Sequence, residues 1–149
     1  MAKRILVPLD ESAESEAVVP LVAEMARSGG ASVRLLHVAP IPGNVVDDDG
    51  RVRAYSDQEA RRLEVDALDY LRTVELMLDG VPVECVVRFG DPFDEILLEA
   101  DTFDADLIAL TARRRRAVGR VFRLGVARRI FRRARTPVLV FRSALEAAA

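Results

Sequence analysis

Residues 106 to 141 read DLIALTARRRRAVGRVFRLGVARRIFRRARTPVLVF, and the fold turns on how this stretch is divided. Leu107-Ile108-Ala109-Leu110 is apolar at every position, the pattern of a strand covered on both faces in a parallel sheet, and a strand is expected over Ala105–Leu110. Val118, Phe122, Val126 and Ile130 then recur every four residues. That period predicts a helix from Gly119 to Ala134 with one buried stripe. Pro137–Phe141 is a second strand-like run. Strand, helix and strand in this order give a crossover between parallel neighbours.

The same alternation extends upstream. Arg4–Leu9 (RILVPL) is a short strand ending at Pro8 and Asp10, and Ser12 or Ser15 is placed to cap a helix reaching about Arg27. Pro20 fits that helix only in an early turn or at a kink. Ser28-Gly29-Gly30 ends it, and Ser32–Val38 is the second strand. Pro40 to about Tyr55, with Pro42, Gly43 and Asp47-Asp48-Asp49-Gly50, reads as an exposed, mobile acidic loop. Ser56-Asp57-Gln58-Glu59 is a capping-box pattern opening a long helix through Leu63, Ala67, Tyr70, Leu71, Val74 and Leu78. Val81–Arg88 is the third strand and Pro92–Ala100 a short helix. Five strands alternating with four helices give one α/β domain over residues 1–149, a doubly wound parallel sheet with helices on both faces. Ligands of such sheets bind at the carboxyl ends of the strands where the order reverses, which singles out Leu9-Asp10 and Leu110-Thr111.

Charge is distributed unevenly along the chain. Thr111 to Arg142 holds twelve arginines and no acidic side chain, whereas the 110 residues before it hold 10 Lys+Arg against 23 Asp+Glu. A segment of +12 thus follows a body of −13, and the net charge of −2 conceals both. Such a segment favours anionic partners: phosphates, polyanions or an acidic protein face. The alternative is internal balance, with Glu59, Glu64, Asp66, Glu95, Glu99 and Asp101 on neighbouring helices as the partners. The single cysteine, Cys85, excludes an internal disulfide and fits a reducing compartment. No run approaches a membrane span, and the opening MAKRILVP enters a strand without a secretory signal pattern, so a cytoplasmic location is expected. His37, the only histidine, has no nucleophile or orienting acid marked around it and reads as a packing residue with a satisfied nitrogen. Asp47-Asp48-Asp49-Gly50 lacks the alternating ligands of a calcium loop, and Ser56 stands where a bidentate Glu belongs. No catalytic or metal-binding residues are expected, and the chain is not read as an enzyme.

ILVPLD (Ile5–Asp10), the later Ser15, LLHV (Leu35–Val38), the Gly90-Asp91-Pro92 turn and the whole of Asp106–Phe141 occur in an order and spacing that resemble the universal stress protein family. The resemblance implies a 3-2-1-4-5 sheet and a homodimer formed by antiparallel pairing of the fifth strands, here through Val138, Leu139, Val140 and Phe141. An apolar edge strand is a liability unless it is paired or covered, and burial under the protein's own chain is the alternative.

Nucleotide-binding members carry Gly-x2-Gly-x9-Gly-Ser/Thr after the fourth strand. Its glycines admit close backbone approach to phosphates, and its last pair opens a helix whose N-terminus attracts anions. In this chain Thr111, Arg114, Leu124 and Gly125 take those positions. Sliding the match by one residue places Arg115 and Val126 instead at the second glycine and the serine. The motif is broken, and no cofactor is expected in the family manner. The alternative is ATP or AMP held by arginines in place of the glycine loop, since guanidinium binds phosphate bidentately. By resemblance the contact set would be Leu9, Asp10 and Val38 around the adenosine, with Leu110, Thr111, Arg113, Arg114, Gly125 and Val126 on the phosphate side. A third reading is a protein that binds polyanions or an acidic partner through residues 113–135. Nucleic acid, and sequence-specific binding above all, is not expected as the partner, because no recognition motif is present, aromatic residues make up only 5% of the chain and bases would find few stacking platforms.

Overall fold

The computed structural model describes residues 2–43, 45–112 and 124–142. In chain order it contains β1 (Arg4–Pro8), a 3-10 turn (Ser15–Val18) leading into α1 (Val19–Gly29), and β2 (Ser32–Ala39). There follow β3 (Val45–Val46), β4 (Val52–Ala54), and α2 (Ser56–Glu75) with a 3-10 turn over Leu76–Leu78. The second half is β5 (Val83–Phe89), α3 (Pro92–Phe103), β6 (Leu107–Ala112), α4 (Leu124–Arg133) and β7 (Val138–Arg142). Five strands form one parallel sheet in the order β5-β2-β1-β6-β7. Counted along the chain within that sheet, the order is 3-2-1-4-5. Connections right and left of β1 leave in opposite senses, so the switch point lies between β1 and β6, as expected for a doubly wound fold.

The alternating side chains separate two cores. Ile5 and Val7 of β1 and the following Leu9 join Val33, Leu35 and Ala109 beneath α1 and α2, together with Val22, Ala26, Leu71 and Val74. Leu6, Leu36, Ile108 and Leu110 point the other way and pack with Ile96, Ala100 and Phe103 of α3 and Ala127 and Ile130 of α4. Burial on both faces accounts for the near-continuous apolar runs in the strands.

Local chemistry sets the element ends. Pro20 lies in the first turn of α1, the early-turn placement, where its missing N–H costs no helical hydrogen bond. Gly30 closes α1 in the left-handed region (φ 65°), with its N–H donated to the Ala26 carbonyl. Asp91 caps α3 by accepting from the Asp94 N–H at 3.2 Å, ahead of Pro92 in the first turn.

Two local expectations are corrected. The capping box of α2 is displaced by one residue: Tyr55 is the N-cap, and the Gln58 side chain accepts its N–H at 3.3 Å. The stretch read as a plain loop contains the antiparallel β3–β4 hairpin. Its turn is organised by Asp47, whose Oδ1 accepts from the Asp49 and Arg51 N–H groups at 3.1 and 2.8 Å. The start of the helix expected over Gly119 to Ala134, with Phe122, and the preceding Val118 and Arg113–Arg116 lie outside the described residues.

Candidate functional site

The carboxyl ends of β1 and β6 meet at a compact polar cluster. Asp10, only 7% exposed, follows β1 directly. Its Oδ1 accepts from the Ser12 N–H at 3.0 Å and the Ser12 hydroxyl at 2.5 Å, an Asx-type turn that fixes the loop. The Asp10 N–H donates to Ser15 Oγ at 3.3 Å. Ser15 Oγ in turn donates to the Ser12 carbonyl at 2.9 Å. Thr111, 3% exposed, enters from β6: its hydroxyl donates to the Ser15 carbonyl and accepts the Val18 N–H, both at 3.2 Å. Ser15 therefore joins Asp10 to Thr111 across the switch point.

A second group of polar side chains flanks this junction. His37 Nδ1 lies 2.8 Å from the Leu9 carbonyl, which can only accept, so the proton sits on Nδ1 and Nε2 faces Glu11 at 3.9 Å. Glu11 holds a left-handed backbone (φ 69°) that a non-glycine residue rarely adopts. Tyr70 of α2 donates to Glu16 Oε2 at 2.9 Å. Burial, reinforced by that hydrogen bond and the Glu16 charge, pushes the Tyr70 phenol well above its ordinary range.

The residues proposed from sequence are therefore distributed unevenly. Leu9, Asp10 and Thr111 come together. The Leu9 side chain points into the α1–α2 core, its N–H donates to the Leu36 carbonyl at 2.8 Å and its carbonyl meets His37. Val38 is half-buried on the opposite face, the side that also buries Leu110. Gly125 is exposed in the first turn of α4, where a Cβ would meet nothing among the described residues, and Val126 packs into the α3–α4 core. Arg113 and Arg114 lie outside the described residues. Ser12, Glu16 and Tyr70 were not anticipated as site neighbours. Only the Asp10-x-Ser12-x-x-Ser15 spacing, typical of a turn stabilised by side chains, hinted at the first of these.

Four of the six acids proposed to neutralise the arginine segment, Glu59, Asp66, Glu95 and Glu99, are engaged elsewhere, and no ion pair involves Glu64 or Asp101 among the described residues. Glu99, 2% exposed, accepts from Arg34 Nη1 at 2.7 Å and from Arg88 Nε. Glu95 pairs with Arg88 at 3.3 Å, and Glu84 with Arg34 at 2.8 Å. Glu59 and Asp66 both pair with Arg62. Among the described residues, no carboxylate pairs with Arg128, Arg129, Arg132, Arg133 or Arg135. Arg129 instead stacks on the Phe93 ring of α3, 4.0 Å from its centroid. Among the described residues, no group of three or more His, Cys, Asp or Glu side chains is placed to hold a metal ion, and no helix is long and apolar enough to cross a membrane.

A parallel sheet of order 3-2-1-4-5 whose candidate site lies at its β1–β6 switch point defines a doubly wound α/β protein. The profile of the universal stress protein family matches residues 1–142, and the chain belongs to that family. Its fold is similar to that of a universal stress protein from Archaeoglobus fulgidus, with 27% identity, TM-score 0.58, and 94% of this chain and 98% of that chain covered. A universal stress protein from the same organism in complex with dAMP is 26% identical, with TM-score 0.56 and coverage of 93% and 96%. A universal stress protein in complex with cAMP shares the fold at 17% identity, with TM-score 0.65 and coverage of 95% and 97%. No curated protein matches the chain in sequence.

Proposed function

We propose that this chain is a non-enzymatic universal stress protein that acts by association, as a dimer joined through β7, and does not hold ATP in the glycine-loop manner of its family. The observation that carries this reading is Thr111. Where a phosphate loop needs bare backbone, a β-branched side chain is packed at the end of β6, and its hydroxyl is bonded to the Val18 N–H and the Ser15 carbonyl. In the adjoining 3-10 turn, the N–H of its first residue, Ser15, donates to Ser12 Oγ and that of its last, Val18, to the Thr111 hydroxyl, so both are satisfied by the chain itself and not by an anion. The arginines of α4, without carboxylate partners among the described residues, supply an association surface. A cytoplasmic location and a single domain accompany this reading.

Isothermal titration with ATP and AMP in the presence of magnesium tests it, with no saturable heat expected. Binding near one site per chain would overturn it in favour of a second reading, an adenine-nucleotide module with Arg113 and Arg114 on the phosphates. That alternative draws support from the relative solved with dAMP. Under it, Arg114→Gly alters nucleotide affinity while Arg132→Ala does not.

A further inference from the structure

We propose that the outer face of α4 is a landing surface for single-stranded nucleic acid. Arg128, Arg129 and Arg132 hold its phosphates, and Phe131 stacks on a base. The inference rests on the reading of α4 as an association surface and names its partner. Arg128, Phe131 and Arg132 stand at i, i+3 and i+4, so they share one helix face. All three are exposed, and Phe131 is 63% exposed, although a face built only for solvation has no use for a bare aromatic ring. The buried stripe of this helix is supplied by Ala127 and Ile130, so Phe131 is not needed for packing. Arg129 lies beside that face, held against Phe93 by stacking, which orders a guanidinium that would otherwise lose entropy on capturing a phosphate.

The surroundings favour a polyanion that carries bases. Of the α3 acids, Glu95 and Glu99 are bound by Arg88 and Arg34, and among the described residues neither Asp94 nor Asp101 forms an ion pair with an α4 arginine. A folded acidic protein would need an interface of about 1,200–2,000 Å² with an apolar centre. Phe131 is the only exposed large apolar side chain of α4 among the described residues. One aromatic among phosphate-binding cations suffices for a flexible single strand, where stacking on any base contributes affinity without regard to sequence. Phosphate contacts and stacking on a base carry no reading of base edges, so binding is expected to be largely independent of sequence. The −13 formed by the residues before Thr111 repels a polyanion from the rest of the surface and confines it to this face.

The test is fluorescence anisotropy of a labelled oligo(dT) with the full chain. Log affinity should fall with log salt at a slope of about −0.7 per phosphate engaged, so three arginines predict a slope near −2. Arg128→Ala and Arg132→Ala should each weaken binding and flatten the slope by about 0.7. Phe131→Ala should weaken binding by about five- to a hundredfold and leave the slope unchanged. Each side chain is exposed, and unchanged circular dichroism and melting of the variants would show that the effects belong to the surface. Retention of full affinity by Phe131→Ala, or a flat salt response, overturns the proposal. If oligo(dT) fails and polyglutamate binds, the surface stands and the nucleic-acid assignment falls. If neither binds, both the assignment and the association surface fall.

Discussion

Glu99 and Tyr70 show how single buried groups on the two faces of the sheet are held in place. Glu99 sits under α3 between Arg34 and Arg88, and Arg34 also stacks over Phe103 at 4.2 Å. Removing the shared acid would leave Arg34 with only the exposed Glu84 and Arg88 with only Glu95, while Arg34 Nε is already buried without a hydrogen-bond partner among the described residues. Glu99→Ala should therefore cost about 3–5 kcal/mol in urea unfolding, the range for breaking a buried ion pair from one side. Glu95→Ala, which removes a more exposed partner of Arg88, should cost under about 1 kcal/mol. Equal costs would place the burden on packing and not on charge. Tyr70 makes a pH-dependent contribution. Its phenol is raised in the folded state, by burial first and Glu16 second, so the unfolded chain ionises it earlier. The associated stability is full below the ordinary tyrosine value of about 10 and is lost as pH rises beyond it. Tyr70→Phe should flatten the decline of the urea midpoint between about pH 9 and 11. An unchanged profile would mean that other groups carry the alkaline loss.

Among the elements, the junction of β6 with the 3-10 turn before α1 depends on the Thr111 hydroxyl, which serves the Val18 N–H and the Ser15 carbonyl at once. Thr111→Val preserves the shape and strands a buried N–H, so it should destabilise the protein by about 1–3 kcal/mol in the same assay. A neutral result would show that the 3-10 turn is held by packing alone. This junction also marks where reading from sequence stops. The five sheet strands and four helices were legible because their apolar periods are long, as in Leu107–Leu110 and in Leu63, Ala67, Leu71 and Val74. The β3–β4 hairpin was not, because two valines beside an aspartate run carry no period to detect. At the site, Leu9-Asp10 and Leu110-Thr111 were legible from topology. The bonds joining Thr111 to Ser15 and Val18 were not, since they link residues 96 and 93 positions apart and exist only once β1 and β6 lie side by side. Tyr70 and Glu16, 54 residues apart, were hidden for the same reason.

The whole molecule is governed by the apolar β7 edge and by an uneven charge distribution, and the two interact. β7 pairs with β6 on one side, and among the described residues no strand covers the other. Its Val138, Leu139, Val140 and Phe141 are half-buried, and only Arg142 at the strand's end carries the charge that usually blunts an edge. Pairing with a second copy is the economical way to cover such a strand, and sedimentation should give twice the 16.5 kDa chain mass. Val140→Lys should return the monomer, and a dimer that survives this change would place the interface elsewhere. Antiparallel pairing in a continuous sheet puts the two-fold axis normal to the sheet, so both copies of α4 would lie on the same side. Two arginine faces then approach one another, and their repulsion opposes the apolar contact. Because the Debye length falls from about 30 Å at 0.01 M to about 10 Å at 0.1 M, added salt screens that repulsion. Dimer affinity should therefore rise with salt over this range, the reverse of an interface held by ion pairs, and sedimentation equilibrium at several salt concentrations reads the sign directly. Dissociation by salt would mean that the acidic body of one copy grips the arginines of the other, and the β7 interface would have to be abandoned.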